Sequence, residues 1–321
     1  MGEFDLIKRY FTPTGYSADV LLGVGDDAAV LAVPDGYRLV TAVDTLVAGA
    51  HFPLDTAAAD IAYRALAVNL SDMAAMGAKP QWFTLSLCIP DANESWLSEF
   101  ANSLQQLAAR YDVQLVGGDT VKGPLTISVQ ILGLVEQDQW LTRAAAQPGD
   151  VVFVSGVPGE AAGGLQLLLQ SDLRAEEHHR QQLLERFYRP TPRIELGLML
   201  STLASAAMDV SDGLLTDLRK LCAASQCGAR VQLESLPQSA ALVNVFGTSL
   251  AEHYALQGGD DYELLFTVPS EKLLRVEAAI ADLGVVCTPL GRIVSEPTVQ
   301  CYRGNATSPI VDSGFDHFAD T

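Results

Sequence analysis

The sequence predicts an α+β protein built as two units, and three observations carry that prediction. Its 321 residues exceed the ~250 over which a single core is usually kept. Apolar alternation of period 2 is interleaved with apolar stripes of period 3.6. Polar residues at 136–150, ending in Pro148-Gly149-Asp150, interrupt the pattern midway. The units therefore divide as 1–137 and 148–321.

In the first unit, residues 19–33 alternate toward the apolar and Pro34-Asp35-Gly36 supplies a turn. Residues 37–44 then return as a strand that ends on Asp44. A helix is predicted over 56–76, with Ile61, Ala65 and Val68 on one stripe and Asp60 and Arg64 as an i,i+4 pair. Gly77 suits its C′ position and Pro80 blocks continuation. Asn69 and Asp72, three apart, project from one face of that helix. Residues 81–89 read as a strand. An amphipathic helix over 93–110 turns Trp96, Phe100, Leu104 and Leu107 inward. Strands at 113–116 and 125–135 flank a Gly117-Gly118-Asp119 turn and a Lys122-Gly123-Pro124 bend.

The second unit opens with a strand at 151–155 and a Gly156-Val157-Pro158-Gly159 turn. Helices are predicted near 160–170, 180–188 and 193–204, broken by Pro190 and Pro192. Asp209-Val210-Ser211-Asp212-Gly213 precedes a helix at 214–224. Strands are predicted at 229–233, 262–268, 285–293 and 298–302, with a helix at 271–283.

Composition narrows the function. With 39 acidic and 20 basic side chains, the formal charge is −19, the opposite of the basic footprint that nucleic acid requires. No run reaches the ~18 apolar residues of a membrane span. The N-terminus carries acids where a signal peptide is basic. Five scattered cysteines fit reduced, mostly buried thiols. A cytoplasmic enzyme with no nucleic-acid or membrane partner is expected.

Six acidic positions sit at or beside glycine- and serine-rich turns: Asp27 in Gly25-Asp26-Asp27, Asp44, Asp72, Asp119, Asp209 and Asp212. None has a basic residue immediately beside it in sequence. Two bare carboxylates about 4 Å apart repel by roughly 4 kcal/mol at an effective dielectric of about 20. If folding gathers these turns, hard divalent cations must sit between them. Magnesium suits that role, since it prefers a few carboxylates plus waters and substrate phosphates.

Gly23-Val24-Gly25-Asp26-Asp27-Ala28 resembles a dinucleotide fingerprint only superficially, because Pro34-Asp35-Gly36 arrives where a long helix must start. Walker A and protein-kinase motifs are absent from the sequence, as are HExxH and paired CxxC. Asp209 and Asp212 bracket Ser211 at a helix start. That arrangement reads either as an N-cap box or as helix amides facing a phosphate with two carboxylates on a bridging cation. Arg143, near the unit junction, is either a solvated charge or a fork for a triphosphate. His51, taken alone, reads as structural.

Taken in order, the glycine-aspartate stretch at 23–28, Val43-Asp44-Thr45-Leu46-Val47-Ala48-Gly49 and Asn69-Leu70-Ser71-Asp72-Met73-Ala74-Ala75-Met76-Gly77-Ala78 resemble the thiamine-monophosphate kinase family. So do Gly117-Gly118-Asp119-Thr120, Leu141-Thr142-Arg143, Asp209-Val210-Ser211-Asp212-Gly213-Leu214, Gly258-Gly259-Asp260-Asp261-Tyr262-Glu263-Leu264 and the terminal Gly314-Phe315-Asp316-His317-Phe318. The resemblance implies the two-domain fold of aminoimidazole-ribonucleotide synthetase, with N-terminal domains pairing into a β-barrel in a homodimer. It implies ATP-dependent conversion of thiamine monophosphate to thiamine diphosphate by direct in-line transfer. The alternative is another ATP-dependent synthetase of that superfamily. By likeness, Asp27, Asp44, Asp72, Asp119, Asp209 and Asp212 would hold several magnesium ions, with Asp44 and Asp72 central to catalysis. Gly118, Arg143 and Ser211 would hold ATP. His51, Asp260 and Phe315 would contact the thiamine phosphate. Two departures stand out. Val43 replaces a hydroxyl residue, so a metal contact there must use its carbonyl, and Asp260 replaces a glutamate one methylene longer.

Overall fold

A computed structural model of the chain describes residues 2–170 and 172–309. It forms two compact units, one running to Met73 and resuming over Ala78–Asp138, the other taking Ala74–Gly77 and Gln139 onward.

The first unit contains α1 (Glu3–Leu6), β1 (Val20–Leu22), β2 (Val30–Leu31), β3 (Tyr37–Val47), α2 (Ala58–Ala75), β4 (Lys79–Ile89), α3 (Glu94–Arg110), β5 (Gln114–Lys122) and β6 (Thr126–Glu136). Strands β3, β6, β4 and β5 form one sheet in that order. Its interior is a row of branched side chains, among them Phe83, Leu87, Ile127, Val129 and Ile131, all buried. Helix α2 is apolar on nearly every side and buried from Ile61 to Met73 apart from Tyr63 and Asp72. Arg64 is buried with it. Helix α3 starts where the Asn93 side chain accepts the Trp96 N–H at 3.1 Å, a normal N-cap. Trp96 stacks on Phe100 with centroids 5.0 Å apart.

Two expectations for this unit need correction. Residues 19–33 do not return into β3; only Val20–Leu22 and Val30–Leu31 are strands, and they pair with each other. The Gly117-Gly118-Asp119 segment is not a turn but the middle of β5, paired in parallel with β4. Glycine signals a turn only when the chain reverses. Here it serves a close approach, since a Cβ on Gly118 would lie 2.0 Å from the Leu85 carbonyl oxygen.

The second unit contains β7 (Val151–Ser155), α4 (Glu160–Leu169), α5 (Glu177–Tyr188), α6 (Ile194–Leu200), β8 (Ala206–Asp209), α7 (Leu214–Ala224), β9 (Gly228–Gln232), α8 (Ala240–Gln257), β10 (Leu264–Val268), α9 (Leu273–Leu283), β11 (Cys287–Val294), β12 (Val299–Arg303) and β13 (Ala306–Ser308). Seven strands pair in the order β13-β12-β9-β11-β7-β10-β8. A single apolar cluster joins Val152, Val154, Met208, Leu215, Leu218, Leu265 and Ile293. Strand β8 and helix α8 have no counterpart in the sequence prediction. Ala206-Ala207-Met208-Asp209 lacks the β-branched residues that mark strands, and Gly247 at φ +78° breaks the helical pattern inside α8.

Buried acids in this unit have dedicated partners. Glu263 accepts from Arg193 Nε at 2.6 Å and Nη2 at 2.5 Å, and from the Ser155 hydroxyl at 2.5 Å. Glu160 accepts from Arg186, Gln182 and Ser239. Asp261 accepts the Gly159 and Ala161 N–H groups at 2.7 and 3.4 Å, which seats it at the start of α4. Burial pushes the Asp261 carboxyl well above the usual range, against the pull of those two amides. Two of the acids in Gly-Gly-Asp-Asp-Tyr-Glu-Leu are therefore framework.

Arg193→Met leaves Glu263 buried without its fork and is expected to cost about 3–5 kcal/mol, read from urea unfolding; a loss below 1 kcal/mol contradicts the pairing. Gly118→Ala is expected to lower stability by about 2 kcal/mol or more, because the obstructing atoms are backbone. An unchanged urea midpoint would contradict that close approach.

Candidate active site

In the first unit Asp44 and His51 are fixed at and just beyond the end of β3. The buried Asn69 side chain of α2 accepts the Asp44 N–H at 3.1 Å and donates to the Ala65 carbonyl at 2.9 Å. That bridge fixes Asp44 against the helix face that also carries the half-buried Asp72. Burial alone raises the Asp44 pKa; no cationic group lowers it. Beyond the strand, the Val47 N–H donates to His51 Nδ1 at 3.1 Å, which leaves Nε2 as the protonated nitrogen of the neutral ring. Val43 lies opposite Gln130, with its side chain 62% exposed.

Asp44, Val129, Leu85 and Gly118 form one register row across all four strands. Three spacings of about 4.8 Å put its ends roughly 14 Å apart. Asp119 is one row further on, aligned with Ser86, Ser128 and Thr45. A single magnesium ion, with ligands at about 2.1 Å, cannot bridge Asp44 and Asp119 within this sheet. If both are ligands they belong to different ions, and the resemblance implies several. Gly118, Asp119 and Thr120 instead share a cleft with Phe11, Val24 and Leu85. Asp27 is exposed on the turn after Val24, with its N–H donating to Asp26 Oδ1 at 2.9 Å.

In the second unit, β8 runs into the Asp-Val-Ser-Asp-Gly segment. Asp209 pairs with Leu264 in the sheet. Past that point the two chains stay paired: the Val210 N–H donates to the Glu263 carbonyl, Tyr262 N–H to Val210, and Asp260 N–H to Ser211 at 2.8 Å. Asp260 therefore sits beside Ser211. Asp260 and Tyr262 adopt φ of +71° and +50°, a left-handed conformation that costs non-glycine residues and clusters at functional sites. The segment carrying Arg143 is stitched to the same strand. The Thr142 carbonyl accepts from the Ala207 N–H at 3.1 Å, and the Arg143 carbonyl from the Ser225 hydroxyl at 2.7 Å. Asp209, Ser211 and Asp260 thus lie along β8 and its paired extension, while the Arg143 segment is bonded to β8 at Ala207 and to the end of α7 at Ser225.

The N-cap reading of the Asp209–Asp212 turn is corrected. The N-cap of α7 is Gly213, without a side-chain cap, so neither aspartate caps the helix. Nor do the Ser211 and Asp212 amides await a phosphate, because the Asp217 carboxylate accepts both, at 2.9 and 3.0 Å. Asp212 also has a cationic neighbour that sequence adjacency did not reveal, Lys220, which donates to Asp212 Oδ2 and to Asp217 Oδ1. Asp217 and Lys220 could have been found from their i,i+3 spacing on an amphipathic helix starting just after the motif. Phe315 lies outside the described residues. A separate cluster of Glu176, His178 and His179 brings its ligand atoms within 4.8 Å. Two of the three are exposed, and the start of α5 presents the positive end of its dipole, which opposes a cation.

The donor set fits magnesium. The candidate ligands are hard carboxylate oxygens, and Asp44 is half-buried with no cation among the described residues to offset its charge. No helix among the described residues is long and apolar enough to cross a membrane.

Comparison with known proteins places this geometry in a family. Residues 25–135 match the AIR synthase related protein, N-terminal domain, and residues 147–303 match its C-terminal domain. The chain is 46% identical to the thiamine-monophosphate kinase of Escherichia coli K12 over 320 residues, covering 99% of this chain and 98% of the relative. It is 34% identical to the Bacillus subtilis thiamine-monophosphate kinase, over 99% of this chain and all of that one. The crystal structure of thiamine-monophosphate kinase from Stenotrophomonas maltophilia K279a superposes with a TM-score of 0.85 at 45% identity, covering 90% of this chain and 93% of that one. AaThiL complexed with AMPPCP and TMP superposes with a TM-score of 0.79 at 31% identity, covering 98% of this chain and 96% of that one. The chain belongs to the thiamine-monophosphate kinase family and has its two-domain α+β fold.

Proposed function

We propose that the protein transfers the γ-phosphoryl group of ATP directly, in line, to thiamine monophosphate, yielding thiamine diphosphate. The observation that carries this reading is the near-full-length 46% identity to a thiamine-monophosphate kinase. The pairing of Asp260 with Ser211 on the extension of β8 supports it. AaThiL, a relative with the same fold, is described as complexed with AMPPCP and TMP. Those are a nucleotide analogue and, by its abbreviation, the thiamine substrate.

Both reactants are anionic, and a loose phosphoryl-transfer transition state asks mainly for positioning and charge neutralisation. The acceptor is a phosphate oxygen already ionised at neutral pH, so no general base is needed. Asp27, Asp44, Asp72, Asp119, Asp209 and Asp212 would hold magnesium, with Asp44 and Asp72 at the catalytic centre. Val43 would contribute only the second lone pair of its carbonyl, since strand alternation turns that backbone toward Gln130. When bound, magnesium would neutralise the phosphates and template their approach. Gly118 and Ser211 would meet ATP, and the Arg143 fork would hold its phosphates. His51 and Asp260 would contact thiamine monophosphate, together with Phe315. In this arrangement residues 1–137 bind ATP and metal and 148–321 complete the site.

A cytoplasmic homodimer is the proposed assembly, with the N-terminal sheets joined into a barrel. Its support is β3, an eleven-residue edge strand that exposes Leu39 (48%), Val43 and Val47. Long apolar edges of that kind are normally covered.

Three measurements test this. ADP release should occur with thiamine monophosphate and not with free thiamine or unrelated phosphates; equal turnover with free thiamine would refute the acceptor. Asp72→Asn should fold normally and lose about 100-fold or more in kcat, so wild-type turnover at saturating magnesium removes it from the centre. Leu39→Glu should sediment as a monomer, and a dimer of undiminished stability would rule out β3 as the joining strand.

A further inference from the structure

We infer that Lys220 is a built-in counter-cation for Asp212, held in place by Asp217, and that divalent ions bind at Asp212 against it. The inference rests on Asp212 being a ligand of the catalytic ions, as proposed above.

Asp217 is fully buried, and both of its oxygens are committed. Oδ2 accepts the Ser211 and Asp212 amides, at 2.9 and 3.0 Å, and Oδ1 accepts from Lys220 Nζ at 2.8 Å. One carboxylate thus shapes the backbone on which Asp212 rides and anchors the ammonium that meets the Asp212 side chain. Asp217 touches no reacting atom in this arrangement and is a positioning residue. Its burial requires such partners, because a carboxylate removed from water without them is costly.

The two arms of the bridge differ in exposure. The Asp217 end is closed to solvent, whereas the Lys220 and Asp212 side chains are 40% and 32% exposed. The ammonium sits on a flexible four-carbon stem, so it can leave Asp212 while remaining bonded to Asp217. With Lys220 in place the three side chains sum to one negative charge; without it they sum to two. A divalent ion arriving at Asp212 therefore meets half the negative charge that the two acids would otherwise present. Lys220 limits charge repulsion in the empty site and weakens metal binding until ATP brings its own phosphates.

The test is Mn²⁺ binding to the ATP-free protein at low ionic strength, followed by electron paramagnetic resonance, with thermal unfolding in EDTA alongside. Lys220→Met should bind Mn²⁺ roughly 5- to 20-fold more tightly and melt at a lower temperature in EDTA. Lys220→Arg should keep wild-type Mn²⁺ affinity. If Lys220→Met does not fold, Lys220→Gln removes the charge while retaining a donor to Asp217. Unchanged or weaker Mn²⁺ binding in the folded neutral variant overturns the inference. Asp212→Asn separates the two layers of the proposal. Should it leave Mn²⁺ binding untouched, Asp212 is no ligand and the site assignment itself fails at that residue. Should it weaken binding while Lys220→Met has no effect, only the counter-cation role is lost.

Discussion

A carboxylate taken out of water needs a proton, a cation or several hydrogen-bond donors, and the arrangement of this protein follows from how each buried acid meets that need. Glu263 has the Arg193 fork, Glu160 has Arg186 with two neutral donors, and Asp261 has backbone amides at the start of α4. These acids hold the second unit together. Asp44 is different. It is anchored through its backbone by Asn69, while its side chain is desolvated with no cation in opposition. Among the described residues the fold supplies partners to its framework acids and no cation to Asp44, which on the proposed function leaves that position to a cation from solution.

The second unit handles the same constraint by geometry. Strand β8 ends at Asp209, and its pairing with the chain leading to β10 continues for several residues beyond regular sheet. That extension brings the left-handed Asp260 beside Ser211 without a long loop. Asp217, one turn into α7, then ties down the intervening backbone. The candidate side chains here are presented by segments whose Ser211, Asp212 and Asp260 amides are already satisfied, so the proposed function needs little reorganisation when charged ligands arrive.

Much of this was legible in the sequence. Helices α2 and α3 declared themselves by period, cap and terminator, since Asn93, Gly77 and Pro80 each act through local chemistry. What escaped was everything decided by tertiary pairing. Gly117-Gly118 looks like a turn in one dimension, but it lies in a strand because β4 passes too close for a side chain. The four residues of β8 carry no strand propensity and are held by β10. Asp261 and Glu263 share a motif with Asp260, yet their partners at Gly159, Ala161 and Arg193 are far off in sequence. Lys220 lies eight residues from Asp212, so adjacency along the chain does not reveal that charge compensation. Register across the sheet separated Asp44 from Asp119, which no motif spacing encodes.

The most direct test of the uncompensated charge at Asp44 is thermal unfolding of Asp44→Asn against wild type, in EDTA and in saturating magnesium without nucleotide. Asparagine keeps the side-chain volume and the backbone bond to Asn69 while removing the desolvated charge. The variant should match or exceed wild-type stability in EDTA and lose most of the magnesium-dependent rise in Tm. A variant that is less stable in EDTA and still gains fully from magnesium would contradict the view that Asp44 is held ready for a cation.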